Sequence, residues 1–508
     1  MKPVQIGWGR RPLHIDGPVS LPGQMHMRIS EEILDPLYAT ALCVDGGAGQ
    51  DAVIFCSCDI VIIRVIEMDP ENRDVVMDAI RAMVSTMRPE LPVEGIILNA
   101  THTHAGIGLA DTPETTPDGQ TVYPGSKCRE YFINQCAEAI CEAWDNRADG
   151  AISYGYGYAV VAHSRRTVYF DDTSLRADAN PVAPNGHGVM YGNTADPQFS
   201  HYEAGADHFL NAMFTFDSHE KLTGIVVNVP CPSQLSEMFT RQTADFWHEV
   251  RQLVAAEFGE EVYVLPQCAA AGDLSPRILH YQKAQARRMR LKYGMEYDPN
   301  SGNHDPVKVM AERADIARRI MDAIREVYDW AKKDIRSHIP VRHQRQILQL
   351  PRRRITPEEK SWCEETLVRM DAELEEKKKG DPETVRKAVT AHQRIYSRNQ
   401  YILQRFALQD EHPCIPMACH TVRIGDIAFA TNRFELYMDY MHRIQARSPF
   451  LQTFVVQLAG AEGGTYLPTE RGAANKGYSA SLFCNQVGPE GGQVLVEETL
   501  RMLEELAD

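Results

Sequence analysis

Six short stretches of the chain are almost wholly apolar and rich in Val and Ile: residues 52–55, 95–99, 224–229, 262–265, 427–430 and 454–458. A strand with one wet face alternates polar and apolar positions, whereas a strand covered on both faces does not, so these runs predict a sheet buried from both sides. Between them, residues 71–87, 128–144, 245–258 and 306–332 carry apolar positions at helical spacing. Strand and helix patterns that alternate in this way predict an α/β domain, a large mixed sheet flanked by helices.

From about Arg352 to Gln409 the texture changes and charged residues dominate. Thr356-Pro-Glu-Glu supplies a capping hydroxyl, a Pro at the first helical position and a Glu where a capping box needs it. Gly380-Asp-Pro-Glu then stops one helix and starts another. The reading is a helical hairpin at 351–410, inserted between a catalytic region at 1–350 and its continuation at 411–508. Its expected role is structural, as a cover or an oligomer contact. Asn180-Pro and Pro184-Asn-Gly-His-Gly mark 178–199 as a long loop, ordered because aromatic and apolar residues continue through it.

With 44% hydrophobic and 24% charged residues among 508, the composition is that of a globular protein of two or three structural units. The net charge of −16 argues against nucleic acid, whose phosphates are bound by clustered Lys and Arg. The short basic run Arg352 to Arg354 sits beside an acidic helix and reads as solvated surface. The N-terminus shows no apolar leader, and no run of about 18 apolar residues occurs, so the expectation is a cytoplasmic protein without a membrane span. Twelve cysteines, whose close pairs Cys56/Cys58 and Cys414/Cys419 have no matching second pair, predict reduced thiols rather than a zinc ribbon.

Chemistry is expected where loops leave the carboxyl ends of the strands. The residues that follow the apolar runs include His102 and His104, Cys231, Asp273 and Ser275, Glu435, and Tyr466. In an extended His-x-His, alternate side chains point the same way, so His102 and His104 are expected to face one pocket. Imidazole, thiolate and carboxylate together suit zinc. In Gly272-Asp-Leu-Ser-Pro, Gly and Pro hold Ser275 at a tight bend. Near a metal such a serine can act as a nucleophile; the alternative is an Asp-initiated turn in which Ser275 only satisfies backbone groups.

Ala100-Thr-His-Thr-His-Ala-Gly resembles the Thr-His-Thr-His-Ser-Gly signature of the neutral/alkaline non-lysosomal ceramidase family. Gly272-Asp-Leu-Ser-Pro resembles that family's Gly-Asp-Val-Ser-Pro nucleophile motif, in the same order and at similarly wide separation. The resemblance runs from about Ile6 to the C-terminus and covers the family's catalytic domain. It implies hydrolysis of an N-acyl amide at one zinc ion. On that resemblance His102 is the first zinc ligand, with Glu435 in Asn-Arg-Phe-Glu-Leu and Tyr466 in Tyr-Leu-Pro-Thr as further ligands. Ser275 would be the nucleophile beside Asp273. His104, Tyr478 and Arg165, the last in His163-Ser-Arg-Arg, would stabilise the oxyanion. One position departs: where the family has a second zinc-binding His before Pro, this chain has Cys231 in Val229-Pro-Cys-Pro-Ser-Gln. A thiolate there can keep a metal with altered acidity, or the metal has been lost.

The expected function is therefore a zinc-dependent amidohydrolase acting on a small molecule, an N-acylated lipid or sugar derivative, in a possible homo-oligomer. The alternatives are a carbohydrate-active enzyme on the same scaffold, with Glu435, Asp59 and Glu237 as its carboxylates, and a non-catalytic relative.

Overall fold

The six apolar runs all become strands, but of two sheets rather than one. A computed structural model describes residues 2–64, 75–177, 179, 185–460 and 465–508 of the chain. The main sheet holds eight strands: β1 (Gln5–Pro12), β2 (Tyr38–Asp45), β3 (Ala52–Cys58), β4 (Ile96–Ala100), β5 (Ala148–Tyr158), β6 (Phe209–Asp217), β7 (Leu222–Val229) and β8 (Tyr263–Cys268). Their order is β8-β7-β6-β5-β1-β2-β3-β4. The β3–β4 and β7–β8 pairs at its two edges are parallel and the pairs between them antiparallel.

A second sheet holds β9 (Val341–Pro351), β10 (Cys414–Ile424), β11 (Ile427–Thr431) and β12 (Gln452–Val456) in that order. It lies face to face on the main sheet. Trp8, Leu42, Phe55 and Leu265 from one side share a buried layer with Val422, Phe429, Phe454 and Val456 from the other. Phe55 and Phe429 have ring centroids 4.8 Å apart. The double burial predicted for the main sheet is thus real, but one of its covers is a sheet and the other is helical.

Helices α1 (Val75–Met87), α2 (Gly125–Asp145), α3 (Phe246–Phe258) and α5 (Pro306–Ala331) pack on the outer face, with α4 (Gln282–Tyr293) beside α5. The predicted residues 71–74 of the first helix lie outside the described residues. The Gly7-Trp-Gly9 motif in β1 shows how alternation serves both layers. A Cβ on Gly7 would lie 2.0 Å from the Ala143 carbonyl oxygen of α2, and one on Gly9 2.2 Å from that of Ala139. Only glycine allows the helix so close, while Trp8 between them points into the opposite layer and donates to Thr215 Oγ1 at 3.1 Å.

The helical hairpin is present as α6 (Pro357–Lys377) and α7 (Pro382–Leu408). Thr356 and Glu359 form the capping box read from the sequence, and Asp381 caps α7. The 178–199 stretch is less loop-like than expected. Its described part includes a strand, Gly188–Met190, that pairs with Arg166–Tyr169. Eleven of the twelve cysteines are buried, and all twelve are free. Among the described residues no helix is long and apolar enough to cross a membrane.

Candidate active site

Both sheets deliver chain to the same rim. After β12, Gln457 N donates to Cys268 O at the end of β8, and Ala100 N at the end of β4 donates to Leu458 O. The buried Gln457 side chain locks this junction, its Oε1 accepting from Ala271 N at 2.9 Å and from Leu436 N at 3.0 Å. Glu435 and Tyr466 become neighbours because Glu435–Leu436 pairs in parallel with Tyr466–Leu467, residue opposite residue. Asn485 holds this tyrosine segment to the next one, donating to Tyr466 O at 3.1 Å and Ser479 O at 2.9 Å.

A cavity of about 380 Å³ opens there, and His102, His104, Arg165, Glu435, Tyr466 and Tyr478 all line it. The two histidines converge, though not by the alternation of an extended strand. His102 takes a left-handed backbone conformation, φ +67°, and its amide donates to Ile60 O. A non-glycine residue held there is strained, a feature that concentrates at functional sites. The kink brings His104 Nε2 within 3.3 Å of His102 Nε2.

His102 Nδ1 lies 2.8 Å from Val61 O. A carbonyl only accepts, so the proton is on Nδ1 and the Nε2 lone pair is turned into the cavity, the tautomer that second-sphere carbonyls fix in metal-binding histidines. That lone pair faces Glu435 Oε2 at 3.4 Å. Burial pushes the Glu435 carboxyl up, and positive charge at His102, followed by Arg165 and Tyr466, draws it back below its usual range.

His104 is driven well below its ordinary value, first by burial and also by the nearby guanidinium groups of Arg28, Arg277 and Arg165, so it is neutral. Its Nδ1 is buried without a hydrogen-bond partner among the described residues, 3.6 Å from Glu237 Oε2. Either neutral tautomer of His104 therefore sets a lone pair against an acceptor, His102 Nε2 on one side or Glu237 on the other. A cation among these groups relieves the conflict. Donor atoms 3.3–3.4 Å apart also match two corners of a tetrahedron with bonds of about 2.0–2.1 Å. The His102 and Glu435 donors have the spacing of a zinc-bound pair, whereas His102, His104 and Glu435 do not all lie within 4.8 Å of one another.

Arg165 is fully enclosed. It donates to Tyr191 Oη at 3.1 Å, Gly272 O at 2.9 Å and Tyr466 Oη at 3.3 Å, and sits 3.6 Å from Glu435 Oε2. Burial holds both Tyr466 and Tyr478 above the ordinary tyrosine range, so their hydroxyls stay protonated; Arg398 of α7 donates to Tyr478 Oη at 3.3 Å.

Three sequence-predicted residues are not brought to this cavity. The Cys231 thiol donates to Val161 O at 3.2 Å in the core, and burial keeps it protonated. Asp273 is buried with its carboxyl pushed up to about 6, accepting from Met438 N at 3.0 Å at the start of α8 (Met438–Arg447). The Ser275 hydroxyl is fully enclosed and accepts from Arg277 N at 3.2 Å, the local turn role that the sequence left open. Asp59 also stands apart, paired with Arg251 at 2.7 Å in a fully buried position.

Other wall residues escaped the sequence reading. Tyr191 and Gln234 flank Arg165; Glu237, read from the sequence only as a carboxylate of the carbohydrate-active alternative, flanks His104. Arg28 grips the His104 carbonyl and donates to Pro22 O at 2.8 Å. Arg166, next to Arg165, is a buried anchor that pairs with Glu203 and donates to Lys476 O just ahead of Tyr478. Arg394 and Arg398 reach the cavity from α7, so the hairpin is part of the wall as well as a cover. Only the i, i+4 spacing of these two arginines signalled a common face.

Two solved structures share this fold. The neutral ceramidase from Pseudomonas aeruginosa superimposes with a TM-score of 0.63 at 15% identity, covering 99% of this chain and 75% of that one. A ceramidase complexed with C2 gives 0.64 at 14% identity, covering 100% and 76%. No protein-family profile and no curated protein matches the chain.

Proposed function

We propose that this chain is a metal-dependent hydrolase that cleaves an N-acyl amide in the cavity between His104 and Arg165. The observation that carries the reading is the convergence of acceptors, the His102 Nε2 lone pair facing Glu435 Oε2 and His104 Nε2 at 3.4 and 3.3 Å. The fold shared with neutral ceramidase supports the same reaction class. His102, Glu435 and Tyr466 would hold a zinc ion, with His104 adjacent, and the ion would supply Lewis acidity at the scissile carbonyl and lower the pKa of the attacking water.

The chain's own groups do the rest. The Arg165 guanidinium and the Tyr478 hydroxyl are donors fixed before the reaction, aimed at the oxygen on which negative charge develops. Neutral His104 takes the proton from water at a ring nitrogen, with Glu237 facing the other nitrogen and orienting the ring. The water oxygen bonds to the carbonyl carbon and the C–N bond breaks. The amine leaves with the proton that His104 returns, giving an acid and an amine. Water is the nucleophile in this scheme because the Ser275 hydroxyl is enclosed and hydrogen-bonded to backbone. Asp273 and Cys231 act by holding the loops that carry the site.

The test is a panel of N-acyl amides, esters and glycosides, assayed with protein purified without chelator. Amide hydrolysis lost on metal removal and restored by zinc is expected. Turnover of glycosides alone, or amide hydrolysis indifferent to chelation, would sink the proposal.

A further inference from the structure

Tyr191 and Glu237 line two cavities. Beyond them lies a second one of about 280 Å³, walled by α4, the loop after it and the first turns of α5. The partition is rigid. Tyr191 is held at φ +59°, a strained conformation for an aromatic residue, with its amide on Arg165 O at 2.7 Å and its hydroxyl bound by Arg165 and Gln234. Glu237 faces His104 with one oxygen; the other accepts from Arg277 at 2.6 Å and Asn303 at 3.3 Å on the far side.

The lining of the second cavity states what it accepts. Its charges balance, Arg277 and Lys308 against Glu237 and Glu312, which gives no preference for an anion or a cation. Gln282, Gln285 and Asn303 bring amides that both donate and accept, and the buried Tyr297 hydroxyl has no hydrogen-bond partner among the described residues. An acyl chain placed here would strip these polar groups of water and return nothing. A ring bearing several hydroxyls matches them, and the Tyr191 ring with Leu279 and Pro299 offers surface for its C–H face.

We propose that this cavity is a subsite for a neutral polyhydroxylated group, and that the substrate is an N-acylated amino sugar or a conjugate of one. Its amide lies in the reaction cavity and its hydroxyls lie beyond Tyr191 and Glu237. The placement of the amide rests on the hydrolase reading; the sugar subsite stands without it.

Saturation-transfer NMR and calorimetry with N-acetylglucosamine, N-acetylgalactosamine and N-acetylmannosamine test the subsite directly, with acetamide and octanamide as probes lacking the sugar. Saturable binding of at least one sugar is expected, weakened at least about tenfold in Gln285→Leu and Glu312→Gln, the loss of one or two enclosed hydrogen bonds. Acetamide binding and the melting temperature of Gln285→Leu, a half-buried site, are expected to stay as in the parent protein. No sugar binding, undiminished binding in both variants, or octanamide binding tighter than every sugar overturns the assignment. Because no turnover is needed, sugar binding without hydrolysis removes only the hydrolase reading, and amide hydrolysis without sugar binding removes only the subsite.

Discussion

His102 Nδ1 donates to the Val61 carbonyl across 2.8 Å, and this one bond decides which way the histidine's lone pair points. With Nδ1 committed, a neutral His102 turns its Nε2 lone pair toward Glu435 Oε2, and a cation there, a proton or a metal ion, makes that contact attractive. Elemental analysis is expected to find one transition metal per chain. His102→Ala and Glu435→Gln are expected to lose it, with kcat/KM falling at least about a thousandfold. Full metal content in both variants would show that the ion binds elsewhere.

Cys231 and Ser275 carry the family resemblance and yet stand outside the cavity. A serine hydroxyl can make the thiol's bond to Val161 O, so Cys231→Ser is expected to keep its metal and cost about 1 kcal/mol of stability. Ser275→Ala loses an acceptor for Arg277 N but no nucleophile, and turnover within about tenfold of the parent is expected. Loss of zinc in the first, or of all turnover in a folded second, would restore the roles that the resemblance implies.

Gly272 is set by a close approach. A Cβ there would lie 2.3 Å from the Glu435 carbonyl oxygen, against backbone that cannot rotate away. Gly272→Ala is expected to push Glu435 from its place, weakening metal binding in a chelator competition and lowering stability by roughly 1–3 kcal/mol. Unchanged metal affinity would mean that this contact does not position the ligand.

Asp273 gives a pH signature. Burial raises its folded pKa from 3.8 to about 6, so the native state holds this proton more tightly than the unfolded chain. Its contribution to stability is then full below about pH 4, declines as pH rises through 6, and is level above, a swing of roughly 3 kcal/mol. Asp273→Asn keeps an acceptor for Met438 N and removes the charge. In urea unfolding its stability relative to the parent is expected to climb between pH 4 and 6; parallel curves would show that the carboxyl is not buried as described.

Much of the secondary structure was legible because it is local. The capping box at Thr356, the Asp381 cap and the six apolar runs depend on neighbours in sequence. The antiparallel strands β1, β2, β5, β6, β9 and β10 were not read. Several mix buried and exposed positions, and pairings such as β1 with β5 and β9 with β10 join residues far apart in sequence. For the same reason a second sheet was not foreseen, since two buried strands look alike whichever sheet they join.

Strand ends and short motifs in the sequence by itself were enough to bring His102, His104, Glu435 and Tyr466 to one rim, and the family resemblance added Tyr478 and Arg165; the same strand ends also offered Cys231, Asp273 and Ser275, which do not line the cavity. Which of the remaining reactive groups join them is a matter of a rotation about one bond or one residue of turn, and only the tertiary structure decided it. The Cys231 thiol turns to Val161, the Ser275 hydroxyl turns to its own backbone, and Tyr191, Glu237 and Arg398 arrive from segments with no motif. Side-chain direction depends on packing from distant parts of the chain, and that information is held in contacts rather than in spacing.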